Sequence, residues 1–218
     1  MLVLALDTSS QATTVAVVRD GAVLADQTEV AANRHGEVLA PMVDTVLRAA
    51  DVSSADVDAI GVGVGPGPFT GLRVGIVTAL SLGDALGVPV RGVCSLDAVA
   101  HAAGRPWESG FVVATDARRK EVYWAAYRDG ARVIGPAVDH PAVLAARLDP
   151  GTALVGAGAV LYAEAFAEGE VDAVSPYPSA AVVARLCVDP GWAVDPLPLY
   201  LRRPDARPPG APKKVTPA

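Results

Sequence analysis

The sequence has few aromatic residues, few cysteines and no long uninterrupted apolar run. Aromatic residues occupy 5% of the 218 positions although 51% are hydrophobic, so the core must be built from alanine, valine and leucine. Small aliphatic side chains allow close backbone packing, which favours parallel strands covered by helices. The length allows one large domain or two of roughly 100 residues each.

No stretch has the length of a signal peptide or a membrane-spanning helix, although the mean hydropathy is +0.35. Asp7 ends the apolar N-terminal stretch after six residues, and glycine and proline at positions 65–68 interrupt the longest uncharged run, 59–72. A spanning helix needs about 20 apolar residues. We therefore expect no transmembrane segment and a cytoplasmic location.

The sequence also lacks the spacing of a disulfide framework or a metal site. Cys94 and Cys187 lie 93 residues apart and are expected to be small buried hydrophobic residues in a reducing compartment. The three histidines, His35, His101 and His140, are too scattered to form a metal cluster. We expect neither a metal nor another cofactor.

The charge balance argues against independent RNA binding. The net charge is −6, whereas a protein that binds RNA tightly on its own is usually basic or carries a basic stripe. Three short basic runs are interpreted as solvated surface, with phosphate contact as the alternative: Arg118-Arg119-Lys120, Arg202-Arg203 and Lys213-Lys214.

An internal repeat predicts the architecture. Residues 2–24 align without a gap on residues 111–133 at a constant offset of 109, with eight identical positions. Self-similarity at a fixed offset indicates a duplicated unit. Each copy has an apolar strand that ends in aspartate (Asp7 or Asp116), a polar turn, and a second strand that runs into Asp-Gly, which favours a tight turn.

Strands and helices alternate after each hairpin. Expected in the first half are a strand at 22–30, a helix at 36–50, a strand at 59–63, a helix at 71–86 and a strand at 89–93. Expected in the second are a strand at 132–138, a helix at 141–148, a strand at 153–156 and helices at 161–166 and 180–187. This repeated order predicts an α/β protein with the actin, Hsp70 and sugar-kinase (ASKHA) fold. We expect lobes at 1–104 and 105–203, and a flexible Pro/Lys tail at 204–218.

An ATP-dependent small-molecule kinase is the alternative function that this fold suggests. Asp7 and Asp116 end the strands that face the nucleotide in such enzymes, but neither following turn contains glycine, so close phosphate approach is harder. The Gly156-Ala157-Gly158 turn fits either an adenine site or a plain strand-to-helix connection. Fold alone does not establish chemistry.

The segment Gly65-Pro66-Gly67-Pro68-Phe69-Thr70-Gly71-Leu72-Arg73 enters the helix at 71–86. Thr70 is predicted to cap that helix. Helix N–H groups and Arg73 fit an anion site, while a rigid structural turn explains the loop equally well. Weak nucleotide or anion contacts are predicted at Asp7, Arg73 and Asp116.

Glycine or alanine recurs every fourth residue in this helix, at positions 71, 75, 79 and 83. Interior glycine costs about 1 kcal/mol relative to alanine, so close packing must offset the loss. The helix is apolar on almost every side, whereas a sheet covers only one face. We therefore favour an intermolecular helical interface over burial within the chain.

Four segments together resemble the bacterial TsaB (YeaZ) family: VLALDTSSQATTVAVVRDG, GVGPGPFTGLRVGIVTALSLG, ATDARRKEVYWAAY and PLYLRRP. The resemblance implies an actin-like dimerisation subunit that pairs with the catalytic paralogue TsaD, joined by the ATPase TsaE, to form N6-threonylcarbamoyladenosine in tRNAs that read codons beginning with A. It implies pairing through the two N-terminal-lobe helices, and homodimers when the chain is alone. The predicted interface is Leu39, Met42, Val43, Val46, Leu72, Gly75, Ile76 and Ala79.

The same resemblance argues against catalysis. TsaD-type paralogues carry a His-x-x-x-His metal pair after the next strand, where this chain has Ser95 and Val99. Neither residue supplies a nitrogen ligand, and His101 comes two residues too late. We therefore predict no catalytic residues and a non-enzymatic subunit that meets tRNA only through the complex. A metal-dependent acyl or carbamoyl transferase acting alone is the third hypothesis.

Overall fold

The protein, described here from a computed structural model, forms two sheets with helices on their faces. The structure describes residues 1–30, 34–172 and 176–202. The first half contains β1 (Leu2–Asp7), β2 (Ala12–Arg19), β3 (Ala22–Val30), α1 (His35–Ala49), a 3₁₀ turn (Ser54–Asp56), β4 (Ala59–Gly63), α2 (Phe69–Leu86), β5 (Val90–Val93) and α3 (Ser95–Ala102).

The second half repeats the hairpins and has shorter helices. It contains β6 (Phe111–Asp116), β7 (Val122–Arg128), β8 (Ala131–Asp139), α4 (Pro141–Ala145), β9 (Ala153–Val155), α5 (Ala157–Leu161), a 3₁₀ turn (Ala163–Phe166), β10 (Glu170–Asp172), α6 (Ala180–Leu186) and β11 (Ala193–Val194).

Both sheets begin with the same meander. The first has the order β11-β5-β4-β1-β2-β3 and the second has the order β10-β9-β6-β7-β8. In each, the first two connections are antiparallel and the first strand then pairs in parallel with the strand after the helix. The predicted Asp-Gly turns form with positive φ at Asp20, Gly21, Asp129 and Gly130. The duplicated actin-like fold is thereby confirmed.

The central strands of the first sheet, β1, β2 and β4, are buried on both faces. Leu2, Leu4 and Leu6 of β1 share a core with α1 and α2, whereas Val3 and Ala5 share a core with α6. Helix α3 packs on the second sheet, and α6 contacts α3. Helices α3 and α6 therefore lie between the two sheets.

The chain crosses between the halves more than once. β11 pairs with β5 in the first sheet, and α6 packs on that sheet although it follows the second hairpin unit. The lobe boundaries 1–104 and 105–203 stay a prediction, and the tail 204–218 lies outside the described residues.

Several short elements differ from the sequence prediction. The helix expected at 141–148 ends at Ala145, and the helix expected at 161–166 is replaced by α5 and a 3₁₀ turn. Gly156 adopts φ +101°, and a Cβ on Gly158 would lie 2.6 Å from the carbonyl carbon of Thr115. These glycines bring α5 close to β6, so the segment 156–158 is a tight strand-to-helix connection.

Helix α2 is the one helix among the described residues that is long and apolar enough, by length and composition, to cross a membrane. Its glycine-rich face nevertheless packs on the first sheet of its own chain. Buried on that face are Gly71, Leu72, Gly75, Ile76, Ala79 and Gly83. A buried helix of a globular core passes the same length and composition test.

Candidate functional site

The two repeat aspartates close equivalent turns at the ends of β1 and β6. Oδ1 of Asp7 accepts a hydrogen bond from the backbone N–H of Ser9 at 2.8 Å, and Oδ1 of Asp116 accepts one from the N–H of Arg118 at 2.8 Å. The sequence repeat is therefore also a repeat of local geometry. Aspartate favours such turns because its side chain bonds to the backbone two residues on.

Asp7 lies at the centre of a buried hydrogen-bond network. Oδ1 also accepts from the hydroxyl of Ser9 at 2.7 Å, and Oδ2 accepts from the hydroxyl of Ser95 at 2.6 Å. The N–H of Gly65 donates to the Ser95 hydroxyl at 3.1 Å. A Cβ on Gly63 would overlap the Asp7 carboxylate. Asp7 thus ties together the first hairpin, the Gly-Pro loop and α3.

Burial changes the acidity of this carboxyl group. Desolvation raises the pKa of Asp7 above its usual value, and the hydrogen bonds from Ser95 and Ser9 oppose that rise. The side chain is 1% exposed, and both of its oxygens already accept hydrogen bonds. Asp7 therefore does not present a free carboxylate to a nucleotide or a magnesium ion.

The other two predicted anion contacts have partners of their own. The guanidinium of Arg73 lies 4.1 Å from the centre of the Phe69 ring and donates to the hydroxyl of Tyr200 at 3.2 Å. Asp116 is half-buried, and its Oδ2 lies 3.7 Å from Nε of Arg118. The structure does not bring Arg73 and Asp116 together with Asp7 around one pocket.

Thr70 does not cap α2, which corrects the sequence prediction. The helix begins at Phe69, so Pro68 is the N-cap residue and makes no side-chain capping bond. Thr70 is the second residue of the helix. The proline fixes the chain direction two residues earlier than a threonine cap would require.

A cavity of about 450 Å³ lies beside this helix start, between the first hairpin turn, α1 and the second lobe. Its lining includes His35, Gly71 and Arg118. The Nδ1 atom of His35 lies 2.8 Å from the hydroxyl of Thr13, and burial lowers the pKa of the imidazole. The neutral ring is thus held in place within the wall of the cavity.

The positions that correspond to the metal-binding pair have other roles here. Ser95 begins α3 and its hydroxyl is engaged with Asp7 and Gly65. Val99 lies one turn later and is completely buried in the core of the second sheet. Among the residues that the structure describes, no group of three or more His, Cys, Asp and Glu side chains could hold a metal ion.

The eight predicted interface residues belong to the core of the chain itself. None of the seven that have side chains is more than 8% exposed, and Gly75 is buried. They are Leu39, Met42, Val43, Val46, Leu72, Gly75, Ile76 and Ala79. This corrects the residue assignment: a partner that docks on α1 and α2 meets the opposite faces of these helices.

The outer face of α2 is apolar and exposed. Val77 is 59% exposed and Leu80 is 42% exposed. Val77 and Leu80 are three residues apart and therefore neighbours on the helix surface. Large apolar side chains grouped on one exposed helix face are typical of interaction sites.

A buried ionic cluster between α3 and the second sheet was missed from sequence. Asp97 of α3 accepts hydrogen bonds from the hydroxyl of Tyr127 at 2.8 Å and from Nη1 of Arg132 at 2.9 Å. Burial raises the pKa of Asp97, while Arg132 and Tyr127 oppose that rise. The one available signal was an aspartate within the apolar segment 93–100.

Comparisons with known proteins agree with the fold. A family model described as "TsaD: tRNA N6-adenosine threonylcarbamoyltransferase" matches residues 22–174. The crystal structure of YeaZ from Pseudomonas aeruginosa superposes with a TM-score of 0.76 at 33% identity, covering 92% of this chain and 99% of that one. The chain belongs to the TsaB/YeaZ family.

Relatives in this family differ in length. An uncharacterized protein of Mycobacterium tuberculosis is 48% identical over 211 residues, which are 94% of each chain. The tRNA threonylcarbamoyladenosine biosynthesis protein TsaB of Escherichia coli is 38% identical over 129 residues, which are 59% of this chain and 55% of that protein. The chain thus spans about half the length of some curated relatives that it matches, including one from Mycobacterium leprae at 56%.

Membership of the TsaB/YeaZ family places the chain beside proteins named for one tRNA modification. The hydrogen-bond network around Asp7 and Ser95 is buried in this chain. Cys94 and Cys187 are buried as expected, and burial raises their thiol pKa values to about 12 and about 11.

Proposed function

We propose that this chain is a non-catalytic subunit that pairs with a TsaD-like protein, joined by a TsaE-like ATPase. The assembly would form N6-threonylcarbamoyladenosine next to the anticodon of tRNAs that read codons beginning with A. The name of the Escherichia coli relative supports the pathway. The observation that carries the subunit role is the exposed apolar face of α2 beside a cleft whose carboxylate is already engaged.

The pairing surface is the outer face of α1 and α2. Val77 and Leu80 supply the exposed apolar side chains, and Ala40 and Pro41 of α1 are exposed on the neighbouring helix. Large and small exposed side chains on two neighbouring helices suit helix-on-helix packing, in which ridges of one helix enter grooves of the other. The partner surface is therefore expected to be helical and apolar, as on a paralogue of the same fold.

The non-catalytic role rests on the donor set in the cleft. A divalent metal in a His-x-x-x-His site needs two neutral imidazoles, and this chain offers the Ser95 hydroxyl and the Val99 side chain at that spacing. The hydroxyl donates its proton to Asp7, so it is committed to the network. We infer that chemistry takes place on the partner and that this chain, located in the cytoplasm, stabilises it.

Co-purification followed by a modification assay tests both parts of the proposal. The tagged chain is expected to retain a TsaD-like protein, and the pair with a TsaE-like protein is expected to modify tRNA while this chain alone does not. The variant Val77→Glu/Leu80→Glu places two charges on the proposed surface and is expected to lose both pairing and modification. Its thermal unfolding should stay close to that of wild type, because both side chains are exposed.

Val133→Glu/Ile134→Glu is the matched control. These residues are 57% and 55% exposed and lie on β8 of the second sheet, so the control makes the same chemical change away from α2. It should pair and support modification as wild type does. Normal pairing by the α2 variant would refute the surface, and modification by this chain alone would refute the non-catalytic role.

The isolated chain should also self-associate through the same helices. Sedimentation velocity is expected to show a dimer for wild type and for the Val133→Glu/Ile134→Glu control, and a monomer for Val77→Glu/Leu80→Glu. A wild-type chain that stays monomeric at high concentration would count against an unsatisfied apolar surface on α2.

A further inference from the structure

The turn between β6 and β7, residues 117–121, presents three consecutive basic residues in an unusual backbone conformation. Arg118, Arg119 and Lys120 have φ of +58°, +56° and +61°. Residues other than glycine rarely adopt this left-handed region, and then usually singly. Three in succession require a surrounding structure that holds them, and such backbone is often found at functional sites. We call residues 117–121 the basic turn.

The basic turn is shorter than its repeat counterpart. β1 and β2 are last paired at Asp7 and Thr14, which leaves residues 8–13 in the turn, whereas β6 and β7 are last paired at Asp116 and Val122. Backbone bonds close it, because the N–H of Ala117 donates to Glu121 and the N–H of Glu121 donates to Arg118. The basic side chains therefore project from a fixed frame.

The C-terminal segment adds a fourth basic residue to the same place. Nη1 of Arg202 donates to the carbonyl of Ala117 at 2.8 Å, and its guanidinium is paired with Glu121 and lies 5.6 Å from the centre of the Tyr123 ring. A cavity of about 160 Å³ lies among these residues and Tyr200. The bond to Ala117 fastens the segment to the basic turn.

Exposed aromatic rings lie beside these charges. Phe69 and Tyr200 stack with ring centres 5.1 Å apart, and Arg73 lies over the Phe69 ring. Phe69 is 38% exposed and Tyr200 is 37% exposed. Arginine and aromatic side chains interleaved on a surface are typical of contacts with single-stranded nucleic acid, where bases stack and phosphates pair with cations.

The local charge has the opposite sign to that of the whole chain. The surface formed by the basic turn and the Phe69–Tyr200 stack carries five cationic side chains and two acidic ones, Asp116 and Glu121, which pair with Arg118 and Arg202. The chain as a whole has a net charge of −6. The cationic side chains are Arg73, Arg118, Arg119, Lys120 and Arg202.

We propose that the basic turn and the adjoining Arg73–Phe69–Tyr200 stack bind the phosphate backbone of the RNA substrate in its single-stranded loop. The inference rests on the proposed function, since it names the part of the chain that the tRNA touches. The cavity of about 160 Å³ is smaller than the roughly 300 Å³ or more of typical small-ligand sites, and Lys120 lies outside its lining. The neighbouring cavity of about 450 Å³ is large enough for a small ligand, but Arg118 is the one member of the five cationic side chains in its lining. An extended polyanion running over the surface fits this arrangement better than a mononucleotide.

The test measures tRNA binding to the assembled complex as a function of salt. In Arg119→Asn/Lys120→Asn, two charges are removed from exposed positions, and asparagine tolerates the left-handed conformation. Each phosphate contact contributes about 0.7–0.9 to the slope of log K against log salt. The variant is expected to lower the magnitude of the slope by about 1.5 and to raise the Kd about tenfold near physiological salt. Arg119→Lys/Lys120→Arg keeps both charges and should therefore have the wild-type slope and the wild-type Kd.

The repeat supplies a matched control. Arg19 and Arg128 occupy equivalent positions at the other ends of β2 and β7 and are exposed, so Arg19→Asn/Arg128→Asn also removes two charges. This control should bind tRNA with the wild-type slope of log K against log salt. Pairing with the TsaD-like protein and thermal unfolding should be unchanged in both variants.

The outcomes separate this inference from the proposed function. If wild-type complex modifies tRNA but the basic-turn variant has the wild-type slope, or loses no more than the control, the inference is overturned and the proposed function stands. If the variant weakens ADP binding but leaves tRNA binding intact, the surface is a nucleotide site and the inference is likewise overturned. A wild-type complex that neither binds nor modifies tRNA refutes both.

Discussion

Replacing Gly75 with alanine tests whether the glycine face of α2 serves the sheet of this chain. A Cβ at this position would overlap the Thr8 hydroxyl and would lie 3.3 Å from Cδ1 of Leu6. That hydroxyl donates to the carbonyl of Gly71 at 2.7 Å, so it cannot move without losing its bond. The substitution therefore sets helix propensity against packing in a buried place.

The sizes of these opposing effects decide whether Gly75→Ala stabilises or destabilises the folded chain. Alanine in a helix interior is favoured over glycine by about 1 kcal/mol. Overpacking a core position costs about 1–3 kcal/mol, and displacing the buried Thr8 hydroxyl from its acceptor costs about 1–3 kcal/mol. We expect Gly75→Ala to lower the free energy of unfolding by about 3 kcal/mol, which corresponds to a fall in Tm of roughly 6–12 °C for a chain of this size.

Urea unfolding of the isolated chain measures this effect. Gly36→Ala in α1 is the matched control, because its Cβ would meet nothing within 4 Å, and it should be neutral or slightly stabilising. Adding Thr8→Ala to Gly75→Ala removes the obstructing hydroxyl, so the two changes should be coupled by at least about 1 kcal/mol. A Gly75→Ala variant as stable as wild type would refute the packing argument.

Two further predictions concern the buried carboxylates. Asp97→Asn should lower the free energy of unfolding by about 3–5 kcal/mol, because it leaves Arg132 without its anion; urea unfolding that matches wild type would contradict this. Burial raises the folded-state pKa of Asp7 above the usual value of 3.8. Between these two pKa values the native state binds more protons than the unfolded state. The contribution of Asp7 to stability therefore falls as the pH rises through this range. The free energy of unfolding of wild type minus that of Asp7→Asn should therefore become smaller as the pH is raised above 3.8. A difference that grows with pH would oppose the assignment.

Local signals predicted the duplicated hairpins and the main helices of the first lobe. The Asp-Gly turns depend on two residues that tolerate positive φ, and alternation and strand length are read within a few residues. β4 forms with the predicted bounds, and α1 and α2 begin within two residues of prediction. These elements are long or strongly patterned, so neighbours change them little.

The short elements and the orientation of α2 could not be predicted in the same way. α5 and β10 each have five residues or fewer and form because the rest of the second sheet is present. The small-residue stripe indicated close approach to α2, but a glycine pattern does not say whether the approaching backbone is a helix or a strand. Here it is the end of β1 and the turn that follows it, since Gly71 lies against the carbonyl oxygen of Thr8 and Gly75 lies against the side chains of Thr8 and Leu6.

The burial of that stripe strengthens the case for the opposite face. Glycines hold α2 close to the first sheet, and the large side chains Leu72 and Ile76 fix its rotation within the core. The outward residues Val77 and Leu80 are therefore presented by a rigid helix, which reduces the conformational entropy lost when a partner binds. At the end of β1, the Asp7 carboxylate is held by three hydrogen bonds. Freeing this carboxylate for chemistry would break the network that positions the Gly-Pro loop and hence α2. The proposed docking face of α2 and the hydrogen-bonded state of Asp7 therefore depend on the same network.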